Sequence, residues 1–184
     1  MAFNLDAEID ALIEREGGDK YTNDPNDSGG ETRWGITAFV ARADGYMGPM
    51  KDLPRARAMS IYKQRYWFAP RFGDVAVLST PIAAELFDTG VNMGVAWAGK
   101  FLQAALNAFN KRATLWPDLT VDGGIGAQTL EALRRYLLAR RADGGEDVMV
   151  RALNVLQGAR YFDIAADSQK NEDFVYGWIK NRVA

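Results

Sequence analysis

The 184-residue chain contains no cysteine, which excludes disulfides, thiol nucleophiles and thiolate metal sites. It contains no histidine either, so Ser-His and Cys-His catalysis and histidine-ligated zinc are excluded as well. An enzyme made from this sequence without an organic cofactor has carboxylates as its natural proton-transfer groups, with lysine and tyrosine behind them. Positive charge is not in excess: 22 Lys and Arg stand against 24 Asp and Glu, so no global field draws the chain onto nucleic acid. No apolar run approaches the roughly 20 residues of a spanning helix. The first ten residues, MAFNLDAEID, are acidic and lack the basic segment and apolar core of a secretory leader. These absences set the expectation of a soluble monomer without cofactor, metal, nucleic-acid partner or stable membrane insertion.

What is present suits a folded domain, with 48% hydrophobic and 25% charged residues. Leu5, Ile9, Leu12 and Ile13 recur at helical spacing behind a cap at Asn4 or Asp6. That helix ends at Glu16, because Gly17 and Gly18 follow. Residues 19–32 are rich in Asn, Asp and Gly and read as a turn-rich loop, with a short hairpin around Gly29-Gly30. Thr37 caps a short helix through Arg42, and Asp52 caps another with Pro54 in its first turn, running toward Trp67. Thr80-Pro81 opens a helix that Gly90 and Gly94 should break, leaving Asn92 at its end. Further helices are expected near 96–109, 127–140, 146–161 and 172–182. The fold class is therefore mainly α, with a small irregular or β-hairpin lobe near residues 19–36.

Glu16 is the sharpest chemical position. A carboxylate in the last helical turn faces the negative end of the helix dipole, and partial burial would favour its neutral form further. A glutamic acid held protonated is what glycoside hydrolysis needs at the departing oxygen. The alternative is a solvated helix-end side chain. Asp27 could act as a base or orient water, and Thr32 could hold that water by its hydroxyl; both could equally serve the local turn. Asp24, Asn26, Ser28 and Gly29 fit four positions of a calcium loop, but its twelfth position is Gly35 where a bidentate Glu is required, so calcium is rejected. Tyr21 lies in the same loop. Trp34, beside it, is the best sugar-stacking platform, whereas Tyr66, Trp67, Trp97, Trp116 and Trp178 read mostly as core. Asn92 could bind an acetamido group or cap the next helix.

The run Glu16-Gly17-Gly18, Tyr21, Asn23-Asp24-Pro25, Asp27, Gly29-Gly30, Thr32 and Gly35-Ile36-Thr37 resembles the N-terminal signature of glycoside hydrolase family 108, the N-acetylmuramidases of phage and prophage endolysins. Val91-Asn92-Met93-Gly94 resembles that family's second signature. Val121-Asp122-Gly123-Gly124-Ile125-Gly126 with Thr129-Leu130, and the Phe174-Gly177-Trp178 region, resemble the peptidoglycan-binding segment that accompanies it. The resemblance implies a lysozyme-like helical globule, with a catalytic region at 1–100 and a peptidoglycan-binding region at 101–184 packed into it. It implies hydrolysis of the β-1,4 bond between N-acetylmuramic acid and N-acetylglucosamine, with Glu16 as the catalytic acid; other lysozyme families place an Asp and a Thr on the loop after their Glu, parts that Asp27 and Thr32 could play here, and Tyr21, Trp34 and Asn92 are the candidate substrate contacts. The partner is bacterial peptidoglycan. The implied location is the host bacterial cytoplasm before release to the cell wall. A lytic transglycosylase, a chitinase, and a non-catalytic cell-wall-binding or phage structural protein of the same shape remain as alternatives. Arg134-Arg135, Arg140-Arg141, Lys180 and Arg182 could form a basic face toward the anionic envelope, or be ordinary solvated helix faces.

Overall fold

The computed structural model describes residues 3–23, 30–167 and 169–183, which fall into two compact units, one ending at Phe68 and the other beginning at Ala69. The structure is mainly helical with one small antiparallel sheet, as the sequence suggested. No helix among the described residues is long and apolar enough to cross a membrane.

The first unit opens with α1, Leu5–Arg15, whose Asn4 side chain accepts from the Asp6 and Ala7 amides at 3.1 and 3.3 Å. Its inward stripe is fully buried at Ile9, Leu12 and Ile13 and meets α3, Arg55–Lys63, at Ala58, Ile61 and Tyr62. Polar ends tie the same helices together through Asp10–Arg55 at 2.5 Å and Asp6–Lys63 at 2.6 Å. Three two-residue strands, β1 (Tyr21–Thr22), β2 (Thr32–Arg33) and β3 (Ile36–Thr37), pair antiparallel in that order. The β1–β2 connection contains Gly29-Gly30, so the expected hairpin spans that stretch, although Gly29 lies outside the described residues. A second, tighter hairpin at Trp34-Gly35 was not foreseen. Thr37 caps α2, Ala38–Ala43, as expected. Asp52 does not cap α3: it ends a 3₁₀ turn, Met50–Asp52, and Pro54 occupies the cap position without a side-chain bond. After α3 the chain continues as a π-helical turn, Gln64–Phe68, which buries Trp67 against Phe3.

The second unit is all helical: α4 (Phe72–Leu78), α5 (Thr80–Met93), α6 (Val95–Ala108), α7 (Ala127–Ala139), α8 (Gly145–Asp167) and α9 (Gln169–Arg182). The α5 helix packs against α4, α6 and α8 through Ile82, Ala83, Leu86 and Phe87, each of which contributes roughly 1.5–3 kcal/mol as a large apolar side chain removed from water, alanine less. Gly90 does not break this helix. It lies buried against Phe72, where an added Cβ would stand 3.0 Å from the ring. Tertiary packing outweighs the roughly 1 kcal/mol helical penalty of glycine. The short α4 had no periodic signal, and α8 runs six residues past its expected end at Tyr161.

Between α6 and α7 the chain has no regular structure, yet its backbone is bonded almost as in a sheet. Gln103 and Asn107 lie one turn apart on α6, and Asn110 follows just past its end. The Asn107 amide donates to the Leu119 carbonyl and accepts from the Leu119 N–H, both at 2.8 Å. Asn110 donates to the Trp116 carbonyl at 2.6 Å and to Asp118 at 2.8 Å, and accepts from the Trp116 N–H at 3.0 Å. Gln103 donates to Asp122 Oδ1 at 2.8 Å and to the Gly124 carbonyl at 2.9 Å, and accepts from the Gly123 N–H at 2.8 Å. Each side-chain amide stands in for a peptide group, offering one donor side and one acceptor.

Candidate active site

The site is built where α1 stops. Gly17 and Gly18 take positive φ values of 114° and 59°. The Gly18 N–H bonds to the Ile13 carbonyl at 3.0 Å and the Gly17 N–H to the Glu14 carbonyl at 3.3 Å, the pair of bonds that closes a Schellman motif. Glu16 is therefore the C-cap residue, and its side chain leaves the helix at the point where the backbone reverses. It is exposed.

The second component is the β2–β3 turn. Arg33 pairs with Ile36, so the loop is two residues long, and both take positive φ: 56° at Trp34 and 71° at Gly35. That is a type I′ geometry, matched to strand twist and normally filled by Asn-Gly or Asp-Gly. Gly35 is required for a second reason. A Cβ there would lie 2.7 Å from Glu16 Cβ and 2.5 Å from the Tyr62 hydroxyl. The turn thus sits directly on the stem of Glu16.

Tryptophan in the left-handed region is strained, and its neighbours hold it. The Trp34 indole N–H donates to the Leu53 carbonyl at 2.8 Å, and the Tyr62 hydroxyl donates to the Trp34 carbonyl at 3.1 Å. Arg33 and Arg55 bring guanidiniums 5.2 and 5.9 Å from the indole centroid. Arg33 also donates to the Lys51 carbonyl. Trp34 is part of the scaffold, with its ring already engaged by these two cations. Burial, then the charge of Glu16, push the Tyr62 phenol well up, so it stays protonated.

On the sheet, the Thr32 hydroxyl donates to the Gly30 carbonyl at 3.3 Å, which leaves its oxygen able to accept from water. Tyr21 is exposed and donates its hydroxyl to Glu31 at 2.6 Å; that hydrogen bond is the main reason its phenol is pushed up. Asp27 lies outside the described residues, as do Asp24, Asn26, Ser28 and Gly29 of the rejected calcium loop. Among the described residues no group of three or more carboxylates is placed to hold a metal.

Asn92 belongs to the second unit. It stands in the last turn of α5, at the helix end as expected, and donates to the Asp88 carbonyl at 2.8 Å and Asp88 Oδ2 at 3.0 Å; it does not cap the next helix, because Gly94 occupies the α6 cap position. A polar layer surrounds it. Gln157 of α8, fully buried, donates to the same Asp88 oxygen at 3.3 Å. One turn earlier, Glu85 has its carboxyl pushed up to about 7, by burial first and by Asp88 second, against a lowering hydrogen bond from Asn154. Glu85 is not singled out by composition or spacing, although its place one turn before Asp88 on an apolar helix is the available signal, and helical spacing marks Tyr62 only as core.

Arg134 and Arg135 both bond to Glu131, at 2.7–2.8 Å, so much of that basic pair is neutralised on its own helix. Of the aromatics read as core, Trp67 and Trp116 are buried, and Trp178 stacks on Tyr161 at 5.1 Å.

Residues 9–94 match the glycosyl hydrolase 108 family, and residues 97–183 match the predicted peptidoglycan domain. Among solved structures, that of Brucella abortus SagA superposes with a TM-score of 0.61 at 24% identity, over 96% of this chain and 87% of that one. At that identity the likeness is one of fold. No curated protein matches the chain.

Proposed function

We propose, from the match of residues 9–94 to the glycosyl hydrolase 108 family and of residues 97–183 to a predicted peptidoglycan domain, an N-acetylmuramidase with Glu16 as its general acid. The protein is a peptidoglycan hydrolase. The proposal adds the bond, the β-1,4 link from N-acetylmuramic acid to N-acetylglucosamine, and the residues that break it.

The observation that carries it is the placement of Glu16, an exposed carboxyl at a helix end whose stem is gripped by a strained two-residue turn. In the proposed reaction Glu16 gives its proton to the glycosidic oxygen as the C1–O bond breaks. The electron pair leaves with the departing sugar, and positive charge develops on the muramic ring. Thr32 accepts a hydrogen bond from the water that completes hydrolysis, and Asp27 takes that water's proton or attacks the ring itself. The anomer released first separates these: an α product means direct attack by water, a β product a covalent intermediate. Tyr21 offers an exposed ring to the glycan, and Trp34 lies in the turn whose Gly35 rests on the Glu16 stem. Action as a phage endolysin, held in the host cytoplasm until released to the wall, belongs to the same proposal.

The test is digestion of purified peptidoglycan followed by mass spectrometry of the fragments. The expected products carry reducing N-acetylmuramic ends, and Glu16→Gln should lower the rate by about 10²–10⁴-fold with the fold retained. Wild-type turnover by Glu16→Gln, or products with anhydro-muramic ends, would overturn it.

A further inference from the structure

We infer that Tyr62 is a positioning residue for the carboxyl of Glu16, acting through the backbone of the Trp34-Gly35 turn. The inference rests on the proposed role of Glu16 as acid.

A side chain at a helix C-cap has one bonded neighbour on one side and a reversing backbone on the other. Left alone, Glu16 would sample its staggered rotamers freely, and most of those place the carboxyl away from any one substrate oxygen. Something must narrow that choice. The closest feature is Gly35, whose missing Cβ would lie 2.7 Å from Glu16 Cβ and 3.4 Å from its Cγ. The turn's height above the end of α1 therefore decides which rotamers the stem can adopt.

That height is not set by the turn's own preferences. Tryptophan at φ 56° costs on the order of 1–3 kcal/mol, so without restraint the turn would relax. Two hydrogen bonds restrain it, from opposite directions: the Trp34 indole N–H to Leu53, and the Tyr62 hydroxyl to the Trp34 carbonyl. Tyr62 is the more consequential. It is buried on α3, a helix packed directly on α1, so it ties the turn to the element that carries Glu16. Its hydroxyl also lies beside the same Gly35 face, 2.5 Å from where a Cβ would be. Gly35 is thus held between the hydroxyl that fixes the turn and the stem that the turn fixes.

The experiment compares four variants on a soluble peptidoglycan fragment: Tyr62→Phe, Trp34→Phe, Tyr66→Phe and Glu16→Gln. Tyr62→Phe keeps the ring and removes the anchor. Its kcat should fall by about tenfold to a hundredfold, the range expected for an ångström-scale misplacement, while KM stays within about twofold. Trp34→Phe removes the other anchor and should reproduce the kcat loss, so the inference can be judged even if Tyr62→Phe folds poorly. Tyr66 stacks on Tyr62 at 5.9 Å but takes no part in holding the turn; Tyr66→Phe should lower the melting temperature without lowering kcat. Unchanged kcat in Tyr62→Phe and Trp34→Phe, with Glu16→Gln inactive, overturns the positioning role and leaves the acid intact. Losses in Tyr62→Phe that Tyr66→Phe matches overturn it also, as would KM and kcat falling together with stability. Activity in Glu16→Gln overturns the acid assignment and this inference with it.

Discussion

Two glycine-containing motifs look alike in the sequence and do opposite work. In the first unit, Glu16-Gly17-Gly18 and Gly35 bring a backbone turn against a carboxylate and leave that carboxylate exposed. In the second, Asp122-Gly123-Gly124 packs onto α6. Asp122 Oδ1 takes the Gln103 amide and the Gly124 N–H, and the Gly123 N–H goes to Gln103. These bonds hold the Asp122 carboxyl below its ordinary range. Gly99 meets the Gly123 carbonyl so closely that no Cβ fits between them. One motif uses its backbone freedom to present a reactive group; the other uses it to lock Asp122 Oδ1, the Gly123 N–H and the Gly124 carbonyl onto Gln103. A motif shared with a peptidoglycan-associated family can therefore be architecture, and the ligand contacts of that region have to be sought elsewhere on its surface.

Substitutions can break that contrast. The largest effect is expected for Gly99→Ala, whose new methyl collides with backbone that cannot yield. The cost should be about 4 kcal/mol or more, seen as a loss of cooperative unfolding by circular dichroism. A near-native melting temperature would show that Gly99 and Gly123 are not in contact. Gln103→Leu should cost about 1–3 kcal/mol, since it removes the partner of the half-buried Gly123 N–H. The same substitution should leave turnover per folded molecule unchanged if the motif is purely architectural, and chemical denaturation beside an activity assay reads both. A third, smaller effect is a dependence on pH. Glu85 has a carboxyl raised from 4.5 to about 7, so the folded state holds its proton more tightly than the unfolded state does. Its contribution is complete below about 4.5 and is lost as the pH rises through about 7. The melting temperature should therefore drop between pH 5 and 8, and Glu85→Gln should flatten that slope. An unchanged slope in the variant would place the titrating group elsewhere.

Much of this architecture was legible. The Asn4 cap, the Gly17-Gly18 stop, the Thr37 cap and the Pro81 start are local signals, and they act as local physics predicts. Gly90 misled because its effect depends on Phe72, eighteen positions away, and not on its neighbours. The Trp34-Gly35 turn was missed because its first residue is among the least suited to a left-handed backbone; only Leu53 and Tyr62, brought in by folding, make it tenable. Glu16 could be singled out from its position before two glycines. Its exposure could not, because burial is decided by what the rest of the chain places nearby.

The amide ladder of α6 has a consequence for the chain's survival. A protease needs its substrate drawn out as an extended strand with free peptide groups to grip. Residues 115–124, lacking regular structure, would be the obvious place to cut. The peptide groups of Leu115, Trp116, Leu119, Gly123 and Gly124 are already bonded to Asn110, Asn107 and Gln103, so drawing the segment out for cleavage must first break its ties to α6 and the residue just past it.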